Sequence, residues 1–203
     1  MMPGMPFAAA AERNASPILG VIEHELRDAT SILEIGTGTA QQAVTFARHL
    51  PLCIWQTSDL DENHEGIRAR IEDSGLDNVR PPLSLDVRSA TPESARYDAV
   101  YSANTAHIMS AGAVDKMFAY VGETLGEGGL FLLYGPFRVH GKFTTQSNAA
   151  FDQSLRRQNP AMGIRDLETL DDLAAAARMY RKRCFAMPSN NFLAVWQRFR
   201  RTA

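Results

Sequence analysis

Apolar positions along this chain follow two different periods. Ile18, Leu19, Ile22 and Leu26 recur at helical spacing. Ser16 and Pro17 stand just ahead of them, a helix-capping residue followed by the ring that suits the first helical position. "SILEIG" (31–36) then reads as a short apolar strand running into a glycine turn. "TAQQAVTFARHL" (39–50) returns to helical spacing through Val44, Ala47 and Leu50, and Pro51 closes it. "LCIWQTSDL" is a second strand ending near Asp59. "DENHEGIRARIEDSG" is a polar helix closed by Gly75. "VRPPLSLDV" (79–87) and "YDAVYSAN" (97–104) supply the third and fourth strands. The helix "GAVDKMFAYVGETL" leads to a strongly apolar fifth strand in "EGGLFLLYGPF". Two helices follow at roughly 147–158 and 166–177. "MYRKRCFAM" and "FLAVWQRF", joined by "PSNN", form a closing hairpin.

Strands that alternate with helices predict a mostly parallel α/β sheet covered on both faces, with an antiparallel strand added by the hairpin. One domain over residues 1–203 is expected. It would carry an N-terminal arm (1–15) and a less regular insertion (138–165) that acts as a substrate lid.

The bulk properties narrow the function. Hydrophobic residues make up 45% of the 203, enough for a sizeable core. The net charge of −2 gives no global field for nucleic acid or membrane. The C-terminal end is locally basic, which suits a solvated face. The two cysteines, Cys53 and Cys184, lie in apolar strand-like runs, with neither disulfide framework nor metal spacing. No metal site, nucleic-acid partner, membrane span or signal peptide is expected, and a cytoplasmic location follows from the cysteine usage.

The glycine turn carries the chemistry. Ligands of open α/β sheets bind beyond the carboxyl ends of the strands, where Gly36 and Gly38 lie. A dinucleotide loop would place a third glycine at position 41, where Gln41 stands. Glu34, just before the turn, would repel a pyrophosphate but help to hold a cationic ligand. That combination favours S-adenosylmethionine (SAM), a sulfonium with an α-ammonium and no phosphate. Asp59 ends the second strand about twenty residues beyond the turn, the place for a carboxylate on ribose hydroxyls. Thr37 and Leu60 adjoin these positions. Asp86 and Val87 suit an adenine amino group and ring, and Asn104 suits the methionine portion.

The stretches "LEIGTGTAQQAV", "WQTSDLD", "LDV", "NTAHI", "LLYGPF" and "SNAAFDQSL" together resemble class I SAM-dependent methyltransferases. With "AERN" at Ala11–Asn14, they are similar more narrowly to a methyltransferase-like family long carried as a domain of unknown function. The resemblance runs from about residue 7 to 199. It implies a seven-stranded Rossmann-like sheet whose last two strands are the hairpin, and it implies the same SAM contacts. The chain departs from that family at Ala40 and Gln42, where Gly and His are common.

Methyl transfer needs alignment and sometimes a base. His107 can take a proton from an acceptor or contact it. Tyr134 and Phe137 flank "YGPF", where they can line the site or face a sulfonium. Arg13 can meet the methionine carboxylate or a substrate acid, and Asn14 lies beside it. The expected activity is methyl transfer to a small molecule through O, N or S. A non-catalytic SAM-binding or partner-binding protein, or a methyltransferase acting on protein or RNA, remains the alternative. The oligomeric state is left open.

Overall fold

A computed structural model of the chain describes residues 5–92 and 96–200. The chain divides into two compact units, Met1–Asp86 with Tyr97–Tyr101 and Val87–Arg96 with Ser102–Ala203.

The first unit contains helices α1 (Ala9–Glu25), α2 (Gln41–His49) and α3 (His64–Ser74). Its strands are β1 (Ser31–Ile35), β2 (Ile54–Asp59), β3 (Val79–Ser84) and most of β4 (Tyr97–Ala103). β1 pairs in parallel with β2 and β4, and β2 with β3, so all four carboxyl ends lie on one edge. Four of the five β1 residues are buried, as a strand covered on both faces requires. Phe46, Trp55 and Tyr101 form the aromatic heart, with ring centroids 5.7–5.8 Å apart.

The second unit contains α4 (Ala111–Thr124), α5 (Gln146–Gln158) and α6 (Leu167–Ala176). Its strands are β5 (Leu125–Gly135), β6 (Phe137–Arg138), β7 (Arg165–Asp166), β8 (Met179–Met187) and β9 (Asn191–Arg198). β9 runs antiparallel to both β5 and β8. Phe118, Phe131 and Trp196 pack together in its core. The large sheet has the order β3-β2-β1-β4-β5-β9-β8, the expected seven strands with the hairpin last.

Three boundaries differ from the pattern-based reading. The first helix begins at Ala9, so Ser16 is not its cap and Pro17 lies inside it. Proline there withholds an N–H from the carbonyl of Arg13. The helix continues because tertiary contacts hold its first turns: Gln41 Oε1 accepts from the Ala8 N–H, and the Gln42 amide donates to the Ala11 carbonyl. β3 ends at Ser84, which leaves Asp86 and Val87 in the turn beyond it. The cap of α5 is Thr145, whose hydroxyl accepts from the Asn148 N–H. The segment 138–165 is more regular than expected. β6 and β7 bracket α5 as a two-stranded parallel sheet.

Candidate functional site

In the first unit the chain leaves β1 through three left-handed residues: Gly36 (φ 74°), Gly38 (φ 60°) and Ala40 (φ 55°). A side chain at Gly38 would meet nothing within 4 Å, so the backbone angle and not space calls for glycine there. Ala40 adopts the same conformation with a buried methyl. The turn therefore forms with alanine in place of the family's common glycine at the cost of local strain.

The turn is fastened to the end of β2. The N–H groups of Gly36 and Thr37 both donate to the Ser58 carbonyl at 3.0 Å. The Gly38 N–H donates to Asp59 Oδ2 at 2.6 Å. Asp59 Oδ1 accepts from the Leu60 N–H and from Asn63 Nδ2. Three donors thus hold a carboxylate that has about four acceptor positions. Asp59 is 8% exposed, and Leu60 beside it presents an apolar surface.

Glu34 lies beneath the turn, 3% exposed. Its Oε2 accepts from Trp55 Nε1 at 2.9 Å and from the Thr37 hydroxyl at 3.2 Å. Burial pushes its carboxyl up to about 7, against the lowering effect of those two bonds, and the negative charge of Asp59 adds to the rise.

The residues at the positions of a dinucleotide loop's third glycine and of the family's common histidine dock the first helix. Gln41 accepts from the Ala8 N–H and from the Thr39 hydroxyl, and it donates to Glu12. Gln42 accepts from the Tyr101 hydroxyl. Buried Arg70 donates to the carbonyls of Pro6 and Thr39. The "AERN" residues are therefore helical. Glu12 reaches the glycine-turn region through Gln41, Arg13 is exposed and Asn14 is half-buried.

In the second unit Asn104 follows β4 in a left-handed conformation (φ 59°), and its N–H donates to the Tyr134 carbonyl. His107 sits in the next turn, 8% exposed, with its ring edge-on to Phe151 at 5.3 Å. Neither ring nitrogen hydrogen-bonds to any described residue. Burial, and then the charge of Arg165, pushes its imidazole down to about 4, so the ring is neutral at pH 7. Arg165 holds this turn by donating to the carbonyls of Ala106 and Met109, and the Gly163 N–H donates to the His107 carbonyl. A side-chain carbon at Gly135 would lie 3.7 Å from His107 Nδ1 and 4.0 Å from the Phe137 ring, so these two expected residues flank one glycine. Tyr134 precedes that glycine on the strand and faces the opposite side of the sheet. Its phenol is buried, which raises its pKa against the lowering effect of the nearby Asn191 side chain.

Sequence reasoning passed over Gln41, Arg70, Arg138, Gly163 and Arg165. Gln41 was visible only as an absent glycine. Arg138 carried the signal that strand ends carry, since it lies three residues beyond the end of β5. Among the described residues no group of three or more His, Cys, Asp or Glu is placed to hold a metal ion. No described helix is long and apolar enough to cross a membrane.

Strand order, glycine turn and terminal hairpin together define the fold of class I SAM-dependent methyltransferases. The chain is similar to an O-methyltransferase family protein from Burkholderia thailandensis, with TM-score 0.83 and 16% identity over 95% of this chain and 58% of that one. It is similar to the S-adenosylmethionine-dependent methyltransferase SibL (TM-score 0.80, 21% identity, 95% and 56% covered). It is also similar to human N-acetylserotonin methyltransferase in complex with SAM (TM-score 0.80, 13% identity, 94% and 54% covered). The chain spans somewhat over half the length of these proteins. It belongs to the family described as "Protein of unknown function (DUF938)", which matches residues 5–198.

Proposed function

We propose that this chain transfers a methyl group from SAM to a small-molecule acceptor. The carrying observation is the state of the glycine turn. Its amides at Gly36, Thr37 and Gly38 already donate to Ser58 and Asp59, and two carboxylates stand at its base. No amide of these three is left to cradle a pyrophosphate, and the local charge disfavours one. The same arrangement suits a ligand with a cationic amino-acid end and a ribose.

Within this reading Glu34 supplies negative field beneath the ligand's ammonium, and Thr37 fixes that carboxylate. The last acceptor position of Asp59 takes a ribose hydroxyl, while Leu60 covers the adenosine. Asp86 and Val87 are assigned to adenine and Asn104 to the methionine portion, as the sequence suggests. Arg13 and Asn14 lie on a docked helix, so any contact they make comes from its surface and not from a loose arm.

When bound, SAM supplies a methyl group on a sulfonium that departs as a neutral thioether. His107 receives the acceptor's proton at a ring nitrogen, its neutral form being the one present at pH 7. Phe137 and Phe151 pack beside it and limit water. Tyr134 lies on β5 beside the Asn191 side chain, and its expected catalytic role is kept as part of the proposal. The likeness to O-methyltransferases favours an oxygen acceptor, and the two free thiols suit a reducing cytoplasmic setting.

Isothermal calorimetry with SAM, S-adenosylhomocysteine and NAD tests the cofactor. Turnover of methyl-labelled SAM against cell extract, separated into small metabolites and macromolecules, tests the acceptor. Label in the small-metabolite fraction is the expected result. Label confined to macromolecules, or cofactor binding without any labelled product, overturns the proposal.

A further inference from the structure

The second unit holds three arginines near the His107 turn, and their partners are unequal. Arg156 pairs with Asp152 at 2.7 Å. Arg165 spends its guanidinium on the carbonyls of Ala106, Met109 and Ala161. The Arg138 side chain has neither a hydrogen bond nor an ion pair with any described residue, and its Nε is buried without a partner. The carboxylates near it in the chain are engaged elsewhere. Asp166 accepts from the Gly141 N–H at 2.6 Å, and Glu168 accepts from the His140 N–H and pairs with its ring. A half-buried guanidinium with an orphaned donor is costly unless something outside the chain completes it.

Arg138 follows β5 at its carboxyl end, one residue beyond Phe137, which flanks the same glycine as His107. Its cation lies over the Phe143 ring at 5.8 Å. It also bears on Arg165, whose charge it opposes, so the two cations share one neighbourhood. Large apolar side chains remain exposed at both groups: Phe143 beneath the Arg138 guanidinium, Phe151 against the His107 imidazole and Ile108 next to His107 in the chain. A guanidinium fork over an apolar floor is suited to a planar acid.

We propose that Arg138 is the anchor for a carboxylate on the methyl acceptor, which is a small acid with an aromatic or apolar body lying against Phe143 and Phe151. This rests on the methyltransferase reading for the word acceptor, but the anion site itself does not. The test compares 4-hydroxybenzoate with 4-hydroxybenzamide by ligand-observed NMR titration, on the protein alone and on the protein loaded with S-adenosylhomocysteine. Wild type should favour the acid by at least about tenfold, as a charge-assisted hydrogen bond implies. Arg138→Gln should reduce that preference to near unity, and Arg138→Lys should keep part of it. Both variants should keep wild-type thermal unfolding and S-adenosylhomocysteine affinity. An acid preference that persists in Arg138→Gln, or no acid preference in wild type, overturns the proposal. An Arg138-dependent preference without any S-adenosylhomocysteine binding upholds the anion site and sinks the methyltransferase reading instead.

Discussion

Replacing Glu34 with Gln separates the needs of a cationic ligand from those of the fold. The glutamine keeps a carbonyl for Trp55 Nε1 and the Thr37 hydroxyl, so both hydrogen bonds survive. What disappears is a buried ionisable group. Unfolded, the carboxyl titrates at its ordinary value near 4.5, whereas folded it is pushed up to about 7. Between those values the folded protein binds the extra proton, so stability falls as the pH rises from 4.5 to 7 and stays low above. At about 1.4 kcal/mol per tenfold change in acidity, the charged form costs about 3 kcal/mol at pH 8. Urea unfolding of both proteins at pH 5 and pH 8 measures this. The variant should be more stable than wild type by about 2–3 kcal/mol at pH 8 and nearly equal to it at pH 5. Other titrating groups cancel in the difference. SAM affinity should fall in the variant, because the ammonium loses its counter-charge. A stability difference that does not change with pH, or a variant that is less stable at pH 8, refutes the reasoning.

The other residues make separate demands. Asp59→Asn should weaken SAM binding by calorimetry and also lower stability by about 1–3 kcal/mol, since the Gly38 and Leu60 amides lose a charged acceptor; unchanged affinity would exclude the ribose role. His107→Gln should lower methyl turnover by about 10²–10⁴-fold with SAM affinity kept. Its imidazole is held neutral from its ordinary 6.5 down to about 4, so His107 contributes less stability as the pH falls through that range, and the stability of wild type relative to the variant should fall from pH 7 to pH 4 by thermal unfolding, the Glu34 contribution cancelling in the difference. Gly163→Ala puts a carbon 2.5 Å from Arg156 Nη2 and 2.8 Å from Asp152 Oδ1 at φ 149°; it should loosen the His107 turn and cut turnover while SAM affinity holds. Ala40→Val should destabilise by about 1–3 kcal/mol in the same unfolding assay, because a β-branched residue at φ 55° is strained, whereas Ala40→Gly should shift stability by less than about 1 kcal/mol.

The sequence alone determined the order of elements, the sheet with its closing hairpin and the place of the glycine turn. Those features are local: they follow from the apolar period and from residues whose backbone preferences act within a few positions. That Glu34 and Asp59 flank the glycine turn was legible because they stand at strand ends. Only the tertiary structure decided the rest. Whether Ala9 or Ser16 starts the first helix depends on Gln41 and Gln42, about thirty residues away, and no local cap reports such a contact. Tyr134 and Gly135 are neighbours in the chain, yet only the pairing of β5 with β9 decides what each faces. Arg138 looked like one more basic residue after a strand. Its significance lies in carboxylates that are already engaged elsewhere, and an unmet partner becomes visible only once every other group has been placed.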